Sequence, residues 1–94
     1  MNEAVEVTKR LMNKRGTYWR QFNKCEAYLS EILEDRYRLI KSYNTIVGMV
    51  DLKESNFYQF GWFSKTTSSQ LTKIYNAFYR SLDRIMVEEK VDEL

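Results

Sequence analysis

The sequence has no proline, no histidine, three glycines and one cysteine in 94 residues. Each scarcity excludes something. Without histidine, imidazole ligation of zinc or haem and histidine acid–base chemistry are ruled out. A lone Cys25 excludes an intrachain disulfide and a cysteine-built metal site; its position on an apolar stripe predicts a small buried side chain. No apolar run approaches the roughly 20 residues of a membrane-spanning helix. The first ten residues already carry Glu3, Glu6, Lys9 and Arg10 where a signal peptide needs an apolar core. These features imply no membrane association and a cytoplasmic protein. The shortage of helix and strand breakers suits a helix-rich chain with few loops.

Hydrophobic residues make up 44% of the chain and aromatics 15%, enough for a packed core and against disorder. The net charge is only +2, but it is polarised. Lys9, Arg10, Lys14, Arg15, Arg20 and Lys24 crowd the first 24 residues. Glu88, Glu89, Asp92 and Glu93 crowd the last seven. The two ends therefore attract each other, within one chain or between chains.

Apolar residues recur at Ala4, Val7, Leu11, Tyr18, Phe22, Cys25, Leu29 and Ile32. Their spacings of three, four and seven predict a long helix over 3–34, within a helical segment 1–35. Gly16 is its weak point; the alternative is a break there, with Thr17 capping a second helix. A helix of this length would measure about 45 Å. Its apolar stripe would outrun a small domain, which predicts a homo-oligomer in which a second copy covers the surplus. The opposite side of that helix carries Arg10, Lys14, Arg20 and Lys24, a candidate phosphate-binding face for nucleic acid.

The period changes after Glu34. Residues 36–63 read as a β-hairpin or three-stranded antiparallel meander: a short strand over 36–41, a β-branched strand over 45–52, a polar connection 53–56, and an aromatic strand Phe57–Phe63. Gly48 predicts a bulge or close packing by an aromatic from the next strand. Tyr58, Phe60 and Trp62 share one face of the aromatic strand and form the candidate partner-binding surface. Residues 64–90 then read as an amphipathic C-terminal helix with Leu71, Ile74, Tyr75, Phe78, Leu82, Ile85 and Met86 on its apolar side. Thr67 and Gln70 fit a capping box at its start, with Ser64 an alternative cap. The predicted fold is thus a single α+β domain with both helices packed on one sheet face and on each other. The predicted core is Leu11, Phe22, Leu29, Ile32, Ile46, Val50, Phe60, Leu71, Ile74, Phe78 and Leu82.

Two stretches carry a resemblance. Ser42-Tyr43-Asn44-Thr45-Ile46-Val47, and Ser64-Lys65-Thr66-Thr67-Ser68-Ser69 ahead of a helix, resemble a family of small uncharacterised phage and mobile-element proteins. That family has a Ser-Tyr-x-Thr-x-Val strand and a Ser-x-Thr-Thr-x-x-His helix start. The match spans residues 42–78, and Gln70 stands where such proteins usually carry histidine. The resemblance implies a phage origin, and hence the cytoplasm of a bacterial host, together with a strand–strand–helix unit. It implies no activity.

Nothing in the sequence supplies catalysis or binds a cofactor. The Ser64–Ser69 run lacks the glycine spacing of a phosphate loop and has no histidine to activate a serine. The carboxylates form no paired arrangement. The expectation is a non-enzymatic protein that binds a host or phage protein as an inhibitor or regulator, an anti-defence role being one form of this. Nucleic-acid binding through the basic face is the alternative.

Overall fold

A computed structural model describes residues 2–61 and 65–91. The fold is α+β, with two helices and a six-stranded sheet among the described residues. Helix α1 (Glu3–Met12) is far shorter than the sequence predicts. Its start is capped by Asn2, whose side-chain oxygen accepts from the Ala4 N–H at 2.8 Å. Glu3 and Glu6 in its first turn and Lys9 and Arg10 in its last suit the helix dipole. Beyond Asn13 the chain turns through Gly16, which sits at φ +75°, a left-handed conformation that glycine adopts without strain.

The predicted continuation of the helix to residue 34 is wrong. Strands β1 (Trp19–Gln21) and β2 (Ala27–Ser30) occupy that stretch as an antiparallel hairpin. Asn23 turns it at φ +52°. Glu34 and Asp35, both near φ +54°, turn β2 into β3 (Tyr37–Ser42). β4 (Thr45–Asp51) and β5 (Asn56–Phe60) complete the three-stranded meander expected over 36–63.

Helix α2 (Lys65–Phe78) is likewise shorter than predicted. The residues expected to continue it form β6 (Asp83–Val87), which lies parallel to β5. Parallel neighbours need a crossover connection, and α2 is that crossover. β6 covers what would otherwise be the open edge of β5. The Tyr75 hydroxyl donates to the Leu82 carbonyl at 2.6 Å and holds the turn between helix and strand.

The strand order β1-β2-β3-β4-β5-β6 leaves β1 and β6 as the edges. The sheet is covered on both faces, which also corrects the expected packing. Side chains alternate along each strand. Tyr37, Leu39, Met49 and Phe60 meet Ala4, Val5 and Leu11 of α1. Ile40, Val50 and Phe57 meet Leu71 and Ile74 of α2 on the other side. The helices therefore form separate cores on opposite faces. Of the predicted core residues, Ile32 and Phe78 are exposed and Leu82 is half-buried; the others are buried.

Gly48 does mark a bulge, but what packs closely on it is the backbone of the next strand and not an aromatic ring. Ile40 pairs with Gly48 and Lys41 with Ile46, so Val47 is an extra residue, a bulge. A Cβ at Gly48 would lie 2.8 Å from the Tyr58 carbonyl oxygen, which is backbone and cannot rotate away. Gly48→Ala is therefore expected to lower stability by on the order of 2 kcal/mol through overpacking. Urea unfolding checks this; an unchanged midpoint would contradict the close approach.

Candidate functional site

Among the described residues six large apolar side chains are exposed; Tyr43, Leu52 and Met86 stand apart, and Tyr18, Ile32 and Phe78 share one concavity. β1 is a short edge strand, and its pairing Arg20 with Leu29 places both on the α2 side. Phe78, the last residue of α2, lines the groove and packs on Phe22 just past β1. Tyr18 precedes β1 and Ile32 follows β2. Together these residues surround a groove of about 370 Å3 with Leu29 and Ser30 at its base. Tyr18 is 63% exposed, Phe78 59% and Ile32 38%. Single exposed apolar residues are ordinary on a protein surface; here three of them line one concavity.

The groove is positioned by packing rather than by loops alone. Phe78 meets Phe22 edge-on, with centroids 5.9 Å apart, and Tyr79 at 6.0 Å. Arg38 reaches in from β3. Its Nε donates to the Ser30 carbonyl at 2.9 Å and its Nη1 to the Tyr79 hydroxyl at 2.8 Å. That guanidinium is held in place before any ligand arrives. Arg20 has no ion-pair partner among the described residues. Glu31 supplies the one carboxylate of the lining. The arrangement suits an apolar side chain together with an acidic group, and it offers no nucleophile–base pair.

The predicted partner-binding face is a different place. Phe60 is wholly buried in the α1 core, and Tyr58 is half-buried against that core, its hydroxyl accepting from Asn56 Nδ2 at 3.0 Å. Trp62 lies outside the described residues. The aromatic strand has two apolar faces because a helix covers each. The sequence hides this by making α1 look like part of a longer element.

The four predicted nucleic-acid contacts do not share a face. Arg10 lies on α1 and Lys14 beyond its end, and both engage Glu34, Lys14 at 3.0 Å. The hydrogen bonds from Arg10 and Lys14 hold the Glu34 carboxyl below the usual carboxylate range. Arg20 is on β1, lining the groove, and Lys24 is in the β1–β2 turn. The chain ends do meet, through the Asn2 N–H and Glu89 Oε1 at 2.9 Å, but without those cations. Asp92 and Glu93 lie outside the described residues.

The hydroxyl run also has a different role from the expected cap. The helix begins at Lys65, so Thr67 is inside its first turn and buried; Ser64, the alternative cap, is outside the described residues. The Ser42 hydroxyl donates to Gln70 Oε1 at 3.0 Å and lies 3.3 Å from Thr67 Oγ1. This cluster fastens α2 to the end of β3, and it joins residues from both halves of the Ser-Tyr-x-Thr and Thr-Thr pattern. Cys25, expected to be buried, is half-buried, with its Sγ donating to the Phe22 carbonyl at 3.0 Å.

Sequence reasoning assigned Tyr18, Ile32 and Phe78 to helix stripes and so missed the groove. A signal was present: Tyr18-Trp19 is an adjacent aromatic pair, and neighbours on a strand point to opposite faces. Among the described residues no group of carboxylates and cysteine could hold a metal ion, and no helix is long and apolar enough to cross a membrane. Comparisons with known protein families, curated protein sequences and solved structures find no match for this chain.

Proposed function

We propose that the chain is a small non-enzymatic accessory protein of the phage type that its strand and helix-start motifs resemble. In this reading it works in the cytoplasm of a bacterial host by binding a host or phage protein, as an inhibitor or regulator of that protein. The observation that carries the reading is the groove. Tyr18, Ile32 and Phe78 leave apolar surface in water around two guanidinium groups, and aromatic and arginine side chains dominate the energetics of protein interfaces. The fitting partner segment presents an apolar side chain with a carboxylate beside it.

Capture from nuclease-treated bacterial lysate tests this, using the protein immobilised as wild type, as Tyr18→Ser/Phe78→Ser and as Lys14→Glu/Lys24→Glu. All three should keep the same circular dichroism. The wild type and the basic-residue variant should retain one specific protein, and the groove variant should lose it at least tenfold. Retention by the groove variant and loss by the basic-residue variant would overturn the assignment. A lysate protein captured only before nuclease treatment would favour nucleic-acid binding instead.

A further inference from the structure

The groove lies at the sheet's edge: its lining includes Arg20 of β1, the edge strand, and no further strand lies beyond β1 among the described residues. The backbone of β1 shows what can close it. Glu31 N–H donates to the Tyr18 carbonyl and Phe22 N–H to the Ala27 carbonyl. Tyr18, Arg20 and Phe22 therefore direct their backbone groups toward β2. In an antiparallel ladder the alternate residues, Trp19 and Gln21, direct theirs away from it, to the free edge. They are the unpaired template that a further strand would use.

We infer that the strand closing the groove is β1 of a second copy, paired antiparallel about a twofold axis, so that two half-grooves join into one site. Twofold pairing through the outward groups allows three registers. One places Arg20 opposite the second copy's Arg20, where like charges repel. One requires Asn23 to extend the ladder, but Asn23 is at φ +52° and is not extended. The third centres on Trp19. It brings Trp19 N–H and C=O onto those of the second copy and sets Tyr18 beside the second copy's Arg20 on the groove side. Tyr18 is exposed and Arg20 has no ion-pair partner among the described residues. Each supplies what the other lacks, an aromatic face for a cation, and symmetry makes the contact twice. The joined groove is then walled by Phe78 of each copy and floored by both β1–β2 hairpins. A partner segment crossing it would meet arginines from both copies.

This inference rests on the groove being the binding surface, but its test reads association alone, with no partner present. Sedimentation equilibrium across micromolar to millimolar protein should show a monomer–dimer equilibrium for the wild type. Gln21→Pro removes an outward N–H, at a position where an edge strand tolerates proline, together with the exposed hydrogen bond from Gln21 Nε2 to the Cys25 carbonyl. It should weaken dimerisation at least tenfold while leaving circular dichroism unchanged. In a Cys25→Ala background, Trp19→Cys should cross-link on mild oxidation. The Cα atoms of a hydrogen-bonded antiparallel pair lie about 5.5 Å apart, inside the roughly 4.4–6.8 Å that a disulfide spans. Arg20→Cys should cross-link much more slowly. A wild type that stays monomeric at every concentration would overturn the inference and leave the groove to its own capture test. A dimer unaffected by Gln21→Pro, or cross-linking faster through Arg20→Cys, would place the contact elsewhere and also overturn it.

Discussion

Phe60→Ala is expected to remove about 3–5 kcal/mol of stability. Phe60 has no exposed surface, and its ring fills the space between β5 and α1, among residues that include Val5, Leu11 and Val87. Truncation there loses the transfer free energy of a large ring and leaves a void that helix and sheet cannot fully close. A domain of this size holds roughly 5–15 kcal/mol in total, so the variant should unfold at a much lower urea concentration and be partly unfolded when warmed. Urea unfolding followed by far-ultraviolet circular dichroism measures it. The outcome also separates two views of this strand. If Tyr58, Phe60 and Trp62 formed a binding face, truncating Phe60 would spare the fold and lose the partner. A wild-type unfolding midpoint for Phe60→Ala would restore that view and contradict the two-sided sheet.

Asp51→Ala is expected to cost about 3 kcal/mol, toward the lower end for breaking a buried ion pair because the Arg36 side chain keeps 30% exposure. Asp51 ends β4 and is itself buried. Its two oxygens accept from Arg36 Nε and Nη2, both at 2.8 Å, and Oδ1 also accepts from the Lys53 and Glu54 N–H groups at 3.1 and 3.2 Å. One carboxylate thus locks the connection between β4 and β5 and ties it to the start of β3. The hydrogen bonds from Arg36, foremost, hold its pKa below the ordinary carboxylate range, and the same contacts raise that of Arg36. A carboxylate with a depressed folded pKa contributes its full stability above the unfolded pKa and loses it as pH falls through the folded value. The wild type should therefore hold a plateau near neutral pH and lose stability on acidification through that window. Asp51→Asn keeps an acceptor for the two backbone N–H groups but loses the charge, so it should start less stable and show a shallower acid limb. Thermal unfolding over a pH series checks the sign; an Asp51→Asn acid limb as steep as the wild type's would contradict it.

The middle of the chain was legible because its local signals agree. Thr45–Asp51 is rich in β-branched residues, Gly48 marks its bulge, and the polar Lys53–Ser55 segment turns it into an aromatic strand. The first third was not. Phe22 and Leu29 stand seven apart and so fit a helix, yet they reach the same core from a turn and a strand. β1 and β2 have three and four residues, too few to display a period of two. The turns at Asn23 and at Glu34-Asp35 carry no glycine to announce them. At the other end, Leu82, Ile85 and Met86 prolong the helical spacing of α2 by coincidence. The chain takes the strand because pairing with β5 satisfies a whole row of backbone groups. The groove followed the same fate. Each of its apolar residues fitted a helix stripe, and only the sheet places Tyr18, Ile32 and Phe78 around one hollow.

Photo-crosslinking tests the central claim, that this hollow is where the protein meets its partner, most directly. A benzophenone side chain placed at position 78, or in a second preparation at position 52, reports on two exposed apolar sites, one in the groove and one in the β4–β5 connection. Both preparations are irradiated in bacterial lysate. The account predicts a discrete covalent adduct with one protein from position 78 and none from position 52. An adduct from position 52 alone, equal adducts from both, or none from either would contradict it.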